Sequence, residues 1–123
     1  MAENTAFEAI TTRSAWYAGE ALAKYDAVEY GAAGKFVKAT GSKPFAGIVQ
    51  YGCDEADQMA TVVRGAFPGV AESPVEAGDL VGVSAGKFKK ASGSAAVGVA
   101  LTPAKAADDL FTVQILETPV AAG

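Results

Sequence analysis

One short passage of this chain is written twice. Gly34-Lys35-Phe36-Val37-Lys38-Ala39-Thr40-Gly41-Ser42 returns as Gly86-Lys87-Phe88-Lys89-Lys90-Ala91-Ser92-Gly93-Ser94, with seven of nine positions identical. With single-residue gaps the echo extends both ways. Downstream, Ala46-Gly47-Ile48-Val49 matches Val97-Gly98-Val99-Ala100, and Ala56-Asp57 with Thr61-Val62 matches Ala107-Asp108 with Thr112-Val113. Upstream, Leu22 and Asp26-Ala27-Val28 match Val75 and Asp79-Leu80-Val81. Residues 21–69 and 74–118 therefore read as two tandem units of about fifty residues each. A propeller needs roughly 4–8 blades and a solenoid at least about 3 repeats, so neither suits two copies. The expectation is one small domain in which the units pack face to face with pseudo-twofold symmetry, and 123 residues fit a single domain.

Hydrophobic spacing gives the class. Val28 and Tyr30 alternate before the Gly31-Ala32-Ala33-Gly34 turn, and Phe88 stands between Lys87 and Lys89. Val97, Val99 and Leu101 share one face with Gly98 and Ala100 on the other, while Phe111, Val113 and Ile115 oppose Thr112 and Gln114. Alternation of period two marks strands, and fourteen glycines between such short runs point to an all-β sandwich or barrel. Residues 59–63 are the matching strand of the first unit, and each unit is expected to supply about four strands. Alanine and Leu22 favour helix over residues 15–25. The matching stretch of the second unit opens on Ser73-Pro74 and holds Gly78, which suits a turn and then a strand. One fold must serve both copies, so the helix is rejected, leaving at most a helical turn near residues 104–108. Gly65-Ala66-Phe67-Pro68-Gly69 reads as the connector between units, too short and apolar for a flexible linker. Residues 1–20 form an N-terminal arm outside the repeat, and residues 119–123 a frayed tail.

The side-chain chemistry excludes more than it offers. There is no histidine, which removes imidazole acid–base catalysis and Ser-His or Cys-His dyads. Cys53 is the only cysteine, so no intramolecular disulfide or CxxC metal site is possible. Gly31-Ala32-Ala33-Gly34-Lys35 lacks the spacing of a phosphate-binding loop, and a hairpin rather than a helix should follow it. Asp54, Glu55 and Asp57, echoed by Asp108 and Asp109, lack the ligand spacing of a calcium loop and read as solvated turns. Lys87, Lys89 and Lys90 read as a solvated, lysine-rich strand or turn. A net charge of −4 speaks against nucleic acid or an anionic membrane as partner. The first residues show no signal peptide, and no apolar run approaches the roughly 18–20 residues of a membrane span, so cytoplasmic synthesis is expected. No enzyme, cofactor or metal is expected.

Two resemblances follow from these residues. Glu72-Ser73-Pro74-Val75-Glu76-Ala77-Gly78-Asp79-Leu80-Val81 is similar to a stretch of the biotinyl and lipoyl carrier domains, small β-sandwiches with internal twofold pseudo-symmetry. The chain lacks the Asp-Lys-Ala or Met-Lys-Met that holds a carrier lysine, which leaves a carrier or ligand-binding β domain as the alternative. Residues 75–81 and 97–100, and more loosely 46–49, resemble the capsid cement (head decoration) proteins of tailed bacteriophages, with the likeness running from about residue 19 to 117. That resemblance implies a structural, non-enzymatic protein on the outside of the virion. It implies major capsid protein as partner, bridging of neighbouring capsomers, and a homotrimer or another oligomer.

The arm supplies residues for such contact. Thr5, Phe7, Ile10, Trp16 and Tyr17 have no partner in the repeat, so the pseudo-symmetric body does not require them. Threonine and aromatic residues suit extended structure, and an extended segment can add a strand to a neighbour's sheet edge. These five residues are the expected contacts with capsid protein or an adjacent copy, with Trp16 and Tyr17 equally suited to capping one end of the core.

Overall fold

The computed structural model describes residues 8–92 and 95–116. The expected contacts Thr5 and Phe7, the echoed pair Gly93-Ser94 and the tail at 119–123 lie outside these residues. The described residues are almost wholly β, as alternation in the sequence requires. They form β1 (Ala9–Tyr17), β2 (Ala27–Tyr30), β3 (Phe36–Lys38), β4 (Phe45–Tyr51), β5 (Met59–Val70), β6 (Leu80–Ser84), β7 (Lys87–Lys90), β8 (Gly98–Ala100) and β9 (Leu110–Ile115). All pair antiparallel in one sheet ordered β3-β2-β4-β5-β9-β8-β6-β7, with β1 joined to β5. Parallel bridges Ala18↔Phe36 and Ala71↔Phe88 bring β3 and β7 back to the residues that follow β1 and β5. Each half of the sheet thus curls toward a barrel. No helix forms over residues 15–25, where Ala18 and Leu22 make β-bridges. Residues 104–108 hold a bridge and a turn.

Contacts of the two halves match in register. Val28↔Lys38 and Tyr30↔Phe36 in the first half parallel Val81↔Lys90 and Val83↔Phe88 in the second. Ile48↔Val63 parallels Val99↔Gln114, and the bridge Leu22↔Cys53 parallels Val75↔Ala104. The pairing also takes in the N-terminal segment. Trp16↔Ala60 and Tyr17↔Met59 have the register of Gly69↔Phe111 and Val70↔Leu110, so β1 holds in one half the place that the end of β5 holds in the other. The segment expected as an arm is extended, and from Ala9 onward it is paired with β5.

Residues 65–69, expected as a connector, are instead the middle and end of the twelve-residue strand β5. Gly and Pro signal a turn in sequence, and here each fits the strand for a specific reason. Gly65 has φ +105°, opposite the register shift between Ile10 and Thr12, and a Cβ there would collide with the Ala9 carbonyl. Pro68 pairs with Thr112, which turns its N–H to the Thr102 hydroxyl (2.8 Å) and its carbonyl to the Leu101 N–H (2.8 Å). That is a non-hydrogen-bonded position, so the donor that proline lacks is not needed.

The main core runs through both halves. Ile48 and Val63 of the first meet Phe67, Phe88, Phe111 and Val113 around β5. Phe88 stands edge-on to Phe111 at 6.1 Å and to Phe45 at 6.2 Å. Its ring occupies the space a side chain would need at Gly69, where a Cβ would lie 2.5 Å away. A second cluster fills the first half with Leu22, Val28, Phe36, Val49 and Val62. On β8 it is Gly98 and Ala100 that are buried, while Val97 and Val99 are half-buried and Leu101 is exposed.

Glu29 is the one buried carboxylate among the described residues. Burial pushes its pKa up, but hydrogen bonds from the Thr40 and Gly41 N–H groups, the Thr40 hydroxyl and the Lys43 backbone outweigh this and hold it below the ordinary 4.5. The ionised side chain thereby ties down the loop after β3. Its stabilisation is complete above pH 4.5 and is lost as pH falls through the lower folded-state value. Glu29→Gln is expected to cost about 1–3 kcal/mol at neutral pH and to flatten the acid limb of a stability–pH profile. Phe67→Ala, which empties the junction of the halves, is expected to cost about 3–5 kcal/mol in denaturant titration.

Candidate interaction surface

β1 pairs with β5 from Ala9↔Ala66 to Tyr17↔Met59, and among the described residues it pairs with no other strand. One edge of a nine-residue strand therefore presents its N–H and C=O groups outward. The sequence supplies threonine and aromatic residues that favour strand, and β5 supplies the edge that fixes their register. Of the expected contacts, Ile10 packs against the main core and anchors the strand. Trp16 and Tyr17 are 49% and 44% exposed, their rings meeting edge to face at 5.3 Å.

Two residues outside the expected set extend this ground. Met59, 50% exposed, lies directly opposite Tyr17. Thr61, two residues on and on the same face, lies opposite Ala15 on β1 and opposite Tyr51, 61% exposed, on β4. Trp16, Tyr17, Tyr51 and Met59 thus gather around one end of three adjacent strands. Arg13 Nε donates to Gln50 Oε1 at 2.7 Å across β5, pinning β1 to the sheet. Met59 was not legible from alternation, because Val63 on the same face of β5 is buried. Nor was Tyr51, because the register shift between Val49 and Tyr51 breaks the period of two.

The charged candidates are occupied in holding turns. Lys35 pairs with Asp57, and Lys87 Nζ with Asp108 Oδ1 at 2.6 Å. The hydrogen bond and charge of Asp108 raise the Lys87 pKa above its ordinary value. Asp109 Oδ2 accepts from the Lys105 and Ala106 N–H groups. Half-buried Cys53 directs its thiol to the Glu20 carbonyl at 3.6 Å. No group of three or more His, Cys, Asp or Glu converges on a metal-sized site among the described residues.

These features define a small β protein of two curled half-sheets, with three of its exposed aromatic side chains, Trp16, Tyr17 and Tyr51, near one end of a free strand edge. The same fold is found in the crystal structure of the N base of head fiber gp8.5 from bacteriophage phi29. The two superpose with a TM-score of 0.69 at 17% sequence identity, covering 89% of this chain and 98% of that one. The likeness shows a shared fold, and it agrees with the resemblance to phage head proteins read from the sequence. No protein-family model and no curated protein matches the chain.

An exposed patch contributes little to folding. Trp16→Ala and Tyr51→Ala are each expected to change unfolding free energy by less than about 1 kcal/mol in urea titration, against the several kcal/mol expected at Phe67.

Proposed function

We propose that this protein is a structural component of a bacteriophage head, binding the outer surface and bracing neighbouring capsomers. The observation that carries this reading is the free edge of β1 beside Trp16, Tyr17, Met59 and Tyr51. The phage-head neighbour in fold and the resemblance in sequence support it. A strand of the major capsid protein added to that edge gains main-chain hydrogen bonds, while the aromatic side chains act as anchors. Thr5 and Phe7, on the same N-terminal segment, extend the contact, and Ile10 positions it from the core.

A standard interface buries about 800 Å² per partner, which one small β domain supplies only in part with a single edge. Several copies acting together multiply the strength of weak contacts by about 10²–10⁴. An oligomer on a symmetry axis of the head, a trimer by the family resemblance, would do this. Binding asks for no chemical step, in keeping with a chain that has no histidine.

Co-sedimentation with undecorated heads tests the reading. Deletion of residues 2–12, and separately the pair Trp16→Ala with Tyr17→Ala, are each expected to weaken binding by about 30-fold or more, the effect of losing a hot spot. Undiminished binding by both variants would overturn the role of β1, and wild-type protein that does not sediment with heads would overturn the function.

A further inference from the structure

The junction between the halves is itself a template for a contact between molecules. In the second half the turn between β6 and β7 passes through Ala85 and Gly86, at φ 49° and 84°. Its tip docks on the first half. Ala27 N–H donates to the Gly86 carbonyl at 2.8 Å, and Gly86 N–H donates to the Ala39 carbonyl at 3.0 Å. Ala27 and Ala39 are fully buried at this socket, and the stem of Lys38 lies along Gly86. Asp26, from the same socket, adds to the charges that hold the Lys87 ammonium protonated, after Asp108 and Glu72.

Every part has a counterpart at the matching register position. The turn between β2 and β3, Ala32–Gly34, carries Ala33 and Gly34 at φ 59° and 74°, the same succession of left-handed residues before a lysine. Gly34 is exposed, with nothing within 4 Å of the place its Cβ would take. Leu80 and Ala91 stand where Ala27 and Ala39 stand. Ala91 N–H donates to the Leu80 carbonyl at 2.9 Å, as Ala39 N–H donates to the Ala27 carbonyl at 2.8 Å. Lys90 and Asp79 take the places of Lys38 and Asp26. Among the described residues this second socket is less covered than the first: Leu80 and Ala91 are only half-buried, and the Lys90 side chain is 73% exposed.

We infer that a second copy of this chain docks its Ala32–Gly34 turn on the socket formed by Leu80 and Ala91, repeating between molecules the contact that joins the two halves within one. The occupant is a copy of this chain because the template contact is made by its own turn, and the Ala32–Gly34 turn, in a loop one residue longer, ends on the same two left-handed residues and the same following residue, Lys35 for Lys87. Lys35 of the incoming copy then approaches Asp79 as Lys87 approaches Asp26. A turn of one copy in the socket of the next is a heterologous contact, which closes into a ring when the rotation permits and otherwise extends. This goes beyond head binding and does not depend on it.

Sedimentation equilibrium of the protein alone, without heads, tests it. The wild type is expected to associate with concentration. Ala32→Glu, which puts a carboxylate on the docking turn, and Ala91→Glu, which charges the socket, are each expected to raise the dissociation constant at least about tenfold. An equal mixture of the two variants is expected to form dimers and nothing larger, because one intact turn then meets one intact socket. Circular dichroism checks that each variant is folded, and Leu80→Gln replaces Ala91→Glu if that variant is not. A wild type that stays monomeric, variants that associate like the wild type, or a mixture that forms no dimer overturns the inference. Because no heads are present, any of these results leaves the head-binding reading standing.

Discussion

The twelve-residue strand β5 carries the whole arrangement. Its first part takes β4 on one edge and β1 on the other, and its last part takes β9. A strand long enough to serve both half-sheets must bend between them, and Gly65 permits the bend. Immediately beyond it Phe67, with no exposed surface, packs against Tyr25 from the first half at 5.8 Å and joins the core of the second. The main hydrophobic core therefore spans both half-sheets, with Val63 and Phe67 of the shared strand at its centre, while a second cluster fills the first half.

Matching positions in the two halves have different fates, and the difference creates the surface. Phe67 and Gly69 lie opposite Val113 and Phe111, where phenylalanine is buried and glycine admits the ring of Phe88. At the matching places on β1 stand Ser14 and Trp16, opposite Val62 and Ala60, and both are exposed. The same backbone pattern is used once to close a core and once to present side chains to solvent. A capsid-binding edge on β1 and a self-docking turn at Ala32–Gly34 would both draw on this difference, each being an element whose counterpart is already buried within the chain.

Much of the fold was legible in the sequence because strand signals are local. Phe88 between lysines is buried while Lys89 and Lys90 are exposed, and Phe111, Val113 and Ile115 are buried as their spacing on β9 requires, though Thr112 between them is buried as well. Pro74 and Gly78, in the stretch that echoes residues 22–28, argued against helix over residues 15–25, and none forms there. What misled were residues whose meaning depends on a partner strand. Gly65 and Pro68 look like a connector until β9 places Pro68 at a position where no donor is required. Which face of β8 is buried was not legible either: Gly98 and Ala100 are buried opposite Ile115 and Val113, with Val113 filling the place a side chain on Gly98 would take. Trp16 and Tyr17, singled out in the sequence, are exposed on β1, whereas the exposure of Tyr51 was hidden by a register shift.

By itself, then, the amino-acid sequence determined the class of structure: period-two alternation, glycine punctuation and echoed segments leave an all-β chain little alternative, since each strand signal is written in neighbouring residues. Only the tertiary structure decided which strand edges are covered and which faces are buried. It paired β1 along β5, ran β5 through the junction, buried one glycine turn and left its counterpart exposed. Those outcomes rest on hydrogen bonds and packing between residues far apart in the chain, such as Ala27 with Gly86, and no local pattern encodes whether such a partner will arrive.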